Sequence, residues 1–141
     1  MEAAAYLTIL SAYITAGQRC TCARRLVVVD GHSDRFVERV IATARHLRVG
    51  LPADEPEAFL GPVISAAQHG MILEEIEAGR GQADLATGGA AIDLDGGYYL
   101  QPTVFTAVAP EARLAQHEIF GPVLSVIRAA GFDAALKDTG A

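Results

Sequence analysis

Basic residues are scarce in this sequence, which has 11 Lys and Arg against 17 Asp and Glu and a formal net charge of −6. A nucleic-acid binder needs a basic stripe that displaces counterions from phosphates, so we expect no nucleic-acid partner. Long apolar runs are also missing, because polar residues interrupt each run before the roughly 20 residues that cross a bilayer. The sequence opens without a basic leader. We therefore expect a cytoplasmic protein with no membrane partner.

Cysteine is equally rare, with Cys20 and Cys22 as its two copies. One residue separates them, so a disulfide between them would close a very tight and strained ring. A metal site needs three or four ligands, and none of the histidines forms a ligand-spaced pair with the cysteines. The four histidines are His32, His46, His69 and His117. We expect neither a structural disulfide nor a metal.

Length and composition indicate one domain, part of whose apolar surface is covered by further protein. A chain of 141 residues can bury a single core. Its hydrophobic fraction of 51% with 20% charged residues is slightly apolar for a free-standing domain. Some apolar surface is therefore expected to lie against further protein.

Hydrophobic spacing predicts alternating helices and strands. A helix over 2–16 ends at Gly17, and Met1 enters it without a capping residue, as though the segment had been cut there. The run 25–30 predicts a buried strand, and Ser33 can cap a helix that continues to about Leu47.

The second half continues the same alternation. Prolines predict a loop over 50–62, and Ser65 opens a helix to about Gly79, with Ile72 and Ile76 inward. The acidic residues of this helix, Glu74, Glu75 and Glu77, predict a solvated face. The remaining predictions are a strand over 83–87, a turn at Gly88-Gly89, an extended segment over 98–108 with Pro102 at an edge or strand end, a strand over 122–129 and a helix from Phe132. This order predicts an α/β fold with a mostly parallel sheet.

Cys20 is the residue with the clearest chemical potential. It follows Gly17, and glycine permits a sharp turn that can present a nucleophile. Arg19, Arg24 and Arg25 lie close in sequence and could favour the thiolate. From these residues alone, the commoner interpretation is a small buried thiol without a reaction.

Four motifs change that interpretation. The run Gly17-Gln18-Arg19-Cys20-Thr21, followed by Arg24-Arg25, resembles the active-site cysteine segment of the aldehyde dehydrogenase superfamily. The run Glu118-Ile119-Phe120-Gly121-Pro122-Val123 resembles the cofactor-contacting motif of that superfamily. The runs 61–64 (GPVI) and 97–104 (GYYLQPTV) resemble landmarks that occur between these two motifs in the family, in the same order.

The resemblance implies a Rossmann-like catalytic-domain fold, incomplete, over residues 1–141, with the cofactor-binding domain absent. It also implies that Cys20 attacks an aldehyde carbonyl and that its backbone N–H helps to hold the oxyanion. The implied cofactor is NAD or NADP, with NAD favoured, where Glu118 accepts hydrogen bonds from ribose hydroxyls and Phe120 packs nearby. Without the motif, Glu118 would be interpreted as a surface acid and Phe120 as a core aromatic. Arg19 and Thr21 are the implied substrate-pocket residues.

The segment 17–25 is similar to the branch called succinylglutamate semialdehyde dehydrogenase, which predicts N-succinylglutamate 5-semialdehyde as substrate and a role in arginine breakdown. His117 stands where the family usually has an acid. A glycine-rich dinucleotide segment, an oxyanion-hole asparagine and a general-base glutamate are not found before Cys20. We therefore expect the isolated chain to be inactive and to hold the cofactor poorly. The resemblance also implies that the full-length enzymes are generally oligomeric.

Two other functions remain open. The chain could be a truncated, non-catalytic interaction module whose apolar faces dock onto a full-length relative. A stand-alone thiol enzyme that uses Cys20 is disfavoured, because no histidine lies near Cys20 in the sequence.

Overall fold

A computed structural model describes residues 2–31, 33–51 and 53–139. In chain order the elements are α1 (Glu2–Tyr13), a 3-10 turn (Ile14–Gly17), β1 (Arg25–Val29), α2 (Ser33–Arg45), α3 (Ala66–Arg80), β2 (Asp84–Thr87), β3 (Ala91–Ile92), β4 (Tyr99–Leu100), β5 (Thr103–Thr106), α4 (Arg113–Gln116), β6 (Val123–Ala129) and α5 (Phe132–Thr139). Within these ranges no helix is long and apolar enough to span a membrane.

The main sheet has four strands in the order β1-β6-β5-β2. β6 pairs in parallel with both β1 and β5, whereas β2 runs antiparallel to β5. β3 and β4 form a separate antiparallel pair. The predicted α/β fold with a mostly parallel sheet is confirmed. β6 lies inside the sheet and is buried along its length except at Arg128, as expected for a strand that is covered on both faces.

Helices cover the two faces of this sheet and create two cores. Because side chains alternate along a strand, Leu124 and Val126 of β6 face the core that contains Ile9 of α1 and Val40 of α2. Ile127 faces the other core, which α3 and α4 cover. The principal residues of that second core are Ile72, Ile76, Phe105 and Leu114. The inward orientation predicted for Ile72 and Ile76 is therefore confirmed.

α1 is shorter than predicted, and the difference lies directly before Cys20. The α-helix ends at Tyr13 and not at Ala16. Thr15 (φ 57°) and Ala16 (φ 54°) have left-handed backbone, and Gly17 (φ 70°) follows in the same region. L-residues occupy this region at a cost, so helical propensity alone could not reveal the turn.

α3 begins as predicted, since the Ser65 hydroxyl accepts a hydrogen bond from the Gln68 backbone N–H at 3.2 Å. The solvated acidic face predicted on this helix is wrong for one of its members. The Glu75 side chain is only 20% exposed and forms an ion pair with Arg113. A partner contributed by α4 could not be read from the spacing of α3.

The other element predictions agree with the structure to within a few residues. Pro102 lies directly before β5, which is the predicted strand-end position. Ser33 is the first residue of α2. Its proposed capping side chain, together with Met1, His32 and Pro52, lies outside the described residues.

Candidate active site

Cys20 lies on the loop that joins the 3-10 turn to β1, as predicted. Arg19, Cys20 and Thr21 are all exposed there. The Arg19 carbonyl oxygen accepts a hydrogen bond from the Cys22 N–H at 3.0 Å, which closes a tight turn around Cys20. The loop therefore presents the Cys20 thiol to solvent instead of packing it into the core.

A glutamine next to this turn anchors the loop to the segment that precedes α3. Gln18 Oε1 accepts a hydrogen bond from the Ile64 N–H at 2.9 Å, and Gln18 Nε2 donates to the Thr15 carbonyl oxygen at 3.3 Å. One side chain thus connects the left-handed turn to the segment that leads into α3. Sequence reasoning did not single out this role of Gln18.

The second predicted segment follows α4. Glu118 and Phe120 are exposed, and the Phe120 residue is 41% accessible with a left-handed φ of 56°. Phe120 is therefore not the core aromatic that its type alone would suggest. Gln68 Nε2 donates to the carbonyl oxygens of Ile119 and Phe120 at 3.3 and 3.2 Å. Sequence reasoning did not predict this contact. The one signal that marked Gln68 was its position three residues after the capping residue Ser65.

The two predicted segments meet at a pair of glycines. A Cβ atom on Gly17 would lie 2.1 Å from the Gly121 carbonyl oxygen, so only glycine permits this approach. A narrow crevice follows the contact, and its lining includes Arg19, Cys22, Glu118 and Phe120. Cys20 and Thr21 are not among the lining residues of this crevice, but they follow one lining residue, Arg19, and precede another, Cys22, on the same exposed loop.

Arg24 and Arg25, which lie close to Cys20 in the sequence, form their hydrogen bonds with other segments. Arg24 Nη1 donates to the Gln116 carbonyl oxygen at 3.4 Å. The Arg25 guanidinium donates to carbonyl oxygens at the end of α5, at 3.3 and 3.1 Å. Arg24 thus joins the end of α4 to the segment before β1, and Arg25 joins the end of α5 to β1.

No group of three or more His, Cys, Asp and Glu side chains that could hold a metal ion occurs among the described residues. Cys20 and Cys22 are both free thiols.

Comparison with known families gives a match over almost the whole chain. The model for the aldehyde dehydrogenase family matches residues 1–139. The chain belongs to the aldehyde dehydrogenase family. The motifs at 17–21 and 118–123 lie within the matched region.

Its relatives among the aldehyde dehydrogenases include the 1-pyrroline-5-carboxylate dehydrogenase of Geobacillus sp. (strain WCH70), which is 41% identical over 137 residues. That match covers 97% of this chain and 26% of the relative. Betaine aldehyde dehydrogenase of Mesorhizobium japonicum is 42% identical over 128 residues, which cover 88% of this chain and 26% of the relative. The chain therefore spans about a quarter of the length of these relatives.

A solved aldehyde dehydrogenase has the same fold. The 1-pyrroline-5-carboxylate dehydrogenase from Thermus with bound NAD superimposes with a TM-score of 0.91 and 46% sequence identity, over 97% of this chain and 26% of that chain. The predicted succinylglutamate semialdehyde branch and its link to arginine breakdown are not supported. Relatives that align over 97% of the chain, such as those of Geobacillus and Bacillus subtilis, are 1-pyrroline-5-carboxylate dehydrogenases instead.

Proposed function

We propose that residues 1–141 are part of an aldehyde dehydrogenase catalytic domain in which Cys20 is the nucleophile of an NAD-dependent aldehyde oxidation. The observation that supports this most is the contact between Gly17 and Gly121. It brings the exposed Cys20 loop against the segment that carries Glu118 and Phe120. The reacting thiol and the cofactor contacts of one oxidation have to be neighbours in this way.

The residues beside the crevice fit a nicotinamide cofactor. Glu118 is exposed, and its carboxylate has no hydrogen bond or ion pair within the part of the chain that the structure describes. It is available to accept hydrogen bonds from ribose hydroxyls. The exposed Phe120 ring offers an apolar face beside it. The chemistry that the cofactor supplies when bound is acceptance of a hydride.

This chain contributes the nucleophile and one donor to the oxyanion. Its thiolate adds to the aldehyde carbon, so a C–S bond forms and the carbonyl electrons move to oxygen. The Cys20 backbone N–H donates to that oxyanion. Loss of hydride then leaves a thioester, and water releases the carboxylic acid and frees the thiol. Arg19 and Thr21 border the entering aldehyde.

For the substrate we propose 1-pyrroline-5-carboxylate, because relatives with that activity in their names align over 97% of the chain. Water opens the C=N bond of its ring, and the open-chain amino aldehyde that results is the form that Cys20 attacks. Betaine aldehyde is the competing choice, since the Mesorhizobium japonicum relative is equally similar over a shorter region. The two substrates can be distinguished directly by activity.

A chimera tests the proposal. The chain replaces the matching quarter of the Geobacillus 1-pyrroline-5-carboxylate dehydrogenase, and NADH formation is followed with each of the two substrates. We expect turnover with 1-pyrroline-5-carboxylate, loss of about 10³-fold or more in Cys20→Ala, and near-normal turnover in the matched control Cys22→Ala. A folded chimera without turnover, or equal activity of the two alanine variants, would contradict the assignment. The isolated 141-residue chain should form no detectable NADH.

A second candidate, a non-catalytic interaction module, is favoured by large apolar side chains at the surface, among them Ile64 at 83% and Phe132 at 71% exposed. If this is the function, the isolated chain will bind a full-length relative in size-exclusion chromatography. Ile64→Ser and Phe132→Ser would then weaken the binding, whereas Cys20→Ala would not.

A further inference from the structure

A carboxylate outside the predicted site pairs with the first residue of α4 and lies close to the residue that follows this helix. Arg113, the first residue of this helix, donates from Nε to Glu75 Oε2 at 3.0 Å and from Nη2 to Glu75 Oε1. His117, the residue after the helix, places Nε2 3.7 Å from Glu75 Oε1. We call Glu75, Arg113 and His117 the carboxylate clamp. It links α3 to the turn that precedes Glu118.

α4 needs such an external tether because it is a single turn of four residues. An isolated turn is unfavourable, since several backbone dihedrals are fixed for very few hydrogen bonds. Its own bonds run from the N–H of Ala115 and Gln116 to Ala112 O and from the N–H of His117 to Arg113 O at 2.8 Å. The Glu75 carboxylate is hydrogen-bonded to one of the two residues that this last bond joins, Arg113, and lies 3.7 Å from the side chain of the other, His117.

The turn also fixes where the next residues go. Glu118 follows His117 directly, and Phe120 has a left-handed φ of 56° that persists only where the surroundings hold it. Gln68, also on α3, fastens the Ile119 and Phe120 carbonyl oxygens from the other side. α3 thus holds this segment at two points, through the clamp before Glu118 and through Gln68 after it.

We propose that Glu75 is a positioning residue, which acts through Arg113 and His117 to hold the turn that presents Glu118 and Phe120 to the cofactor. The cofactor role of that segment rests on the function proposed above. The positioning of the turn by the clamp does not depend on that function and can be measured on the chain itself.

Hydrogen exchange on the full 141-residue chain gives the first test. Glu75→Gln removes the charge that faces Arg113 and His117 and keeps nearly the same shape. We expect amide exchange at residues 115–117 to become about 3- to 10-fold faster, with no change in β6. The matched control is Glu77→Gln on the same helix, since Glu77 pairs with Arg80 at 3.0 Å in solvent. Unchanged exchange at 115–117, or an equal increase in both variants, would overturn the proposal.

Kinetics of the chimera give the second test. Glu75→Gln should raise the KM for NAD about tenfold while kcat changes less than threefold, and the exchanged pair Glu75→Arg with Arg113→Glu should recover part of the loss. An unchanged KM in an enzyme that still depends on Cys20 would overturn positioning by Glu75. Activity that survives Cys20→Ala would instead contradict the proposed function. The hydrogen-exchange result would still test whether Glu75 positions the turn.

Discussion

Gly17 and Gly121 touch through their backbones, so closely that a Cβ on Gly17 would lie 2.1 Å from the Gly121 carbonyl oxygen. The two residues belong to the motifs at 17–21 and 118–123 and are 104 positions apart in the chain. Gly121 is itself enclosed, because a Cβ there would meet the Ile72 side chain at 2.6 Å. The position of the Cys20 loop therefore depends on Gly121, whose own position is limited by Ile72 of α3.

The first prediction is that Gly17→Ala destabilises the chain more than Gly96→Ala. Both glycines have φ +70°, so alanine costs about 1–2 kcal/mol at either position. Nothing lies within 4 Å of a Cβ at Gly96, whereas at Gly17 the obstacle is backbone. We expect a further loss of about 1–3 kcal/mol in Gly17→Ala, measured by urea unfolding. Equal losses would mean that the backbones separate easily.

The second prediction concerns the anchor of α1. Tyr13 is fully buried, and its hydroxyl donates to the Thr103 carbonyl oxygen at 2.9 Å. Burial raises the pKa of Tyr13, so the donor stays protonated. Tyr13→Phe removes this donor and should lower the free energy of unfolding by about 1–2 kcal/mol. The control Tyr6→Phe, at a side chain that is 57% exposed, should change it by less than about 0.5 kcal/mol.

The strands and helices were largely predictable because their signals are local. The run over 25–29 is β-branched, and Ser65 caps a helix whose Ile72 and Ile76 recur at helical spacing. The fold follows from these elements, since alternating strands and helices favour a parallel sheet. The left-handed residues Thr15 and Ala16 gave no such signal, because neither is a residue type that favours that conformation.

The sequence indicated the two segments that meet at the candidate site, but it did not reveal the contacts that hold them. Glu118 and Phe120 belong to a contiguous motif, and the structure puts their segment beside the Cys20 loop. Their cofactor role stays a prediction. The solvated face predicted for Glu75 is wrong because its partner Arg113 is 38 residues away and leaves no signal in the spacing of α3. The hydrogen bonds of Arg24 and Arg25 were not predictable for the same reason, since their carbonyl acceptors belong to distant segments.

The third prediction is a pH dependence that comes from Glu75. Its hydrogen bond from Arg113 lowers the pKa of this carboxyl below the ordinary glutamate value. A carboxyl with a lowered folded-state pKa contributes stability that is complete above its unfolded value, about 4.3, and that disappears as the pH falls through the folded value. The wild type should therefore exceed Glu75→Gln in stability at neutral pH, by at most about 1 kcal/mol because Arg113 is exposed.

That difference should shrink when urea unfolding is repeated between about pH 5 and pH 3. Glu77→Gln provides the control, since the Glu77 side chain is 78% exposed and no comparable change is expected there. A difference between wild type and Glu75→Gln that stays constant over this interval would show that shape, and not charge, accounts for the effect.

The last prediction is that iodoacetamide modifies Cys20 several-fold faster than Cys22. Alkylation requires the reagent to reach the sulfur, and Cys20 is exposed whereas Cys22 is half-buried. The Cys22 Sγ also donates to the Ile14 carbonyl oxygen at 3.6 Å, which holds it against the 3-10 turn. Peptide mapping after brief reaction near neutral pH measures both rates in one sample. Gly17→Ala should reduce the contrast, because moving the turn away from Gly121 also disturbs the Cys22 contact. Equal labelling of the two cysteines in the wild type would show that the loop does not present Cys20 selectively.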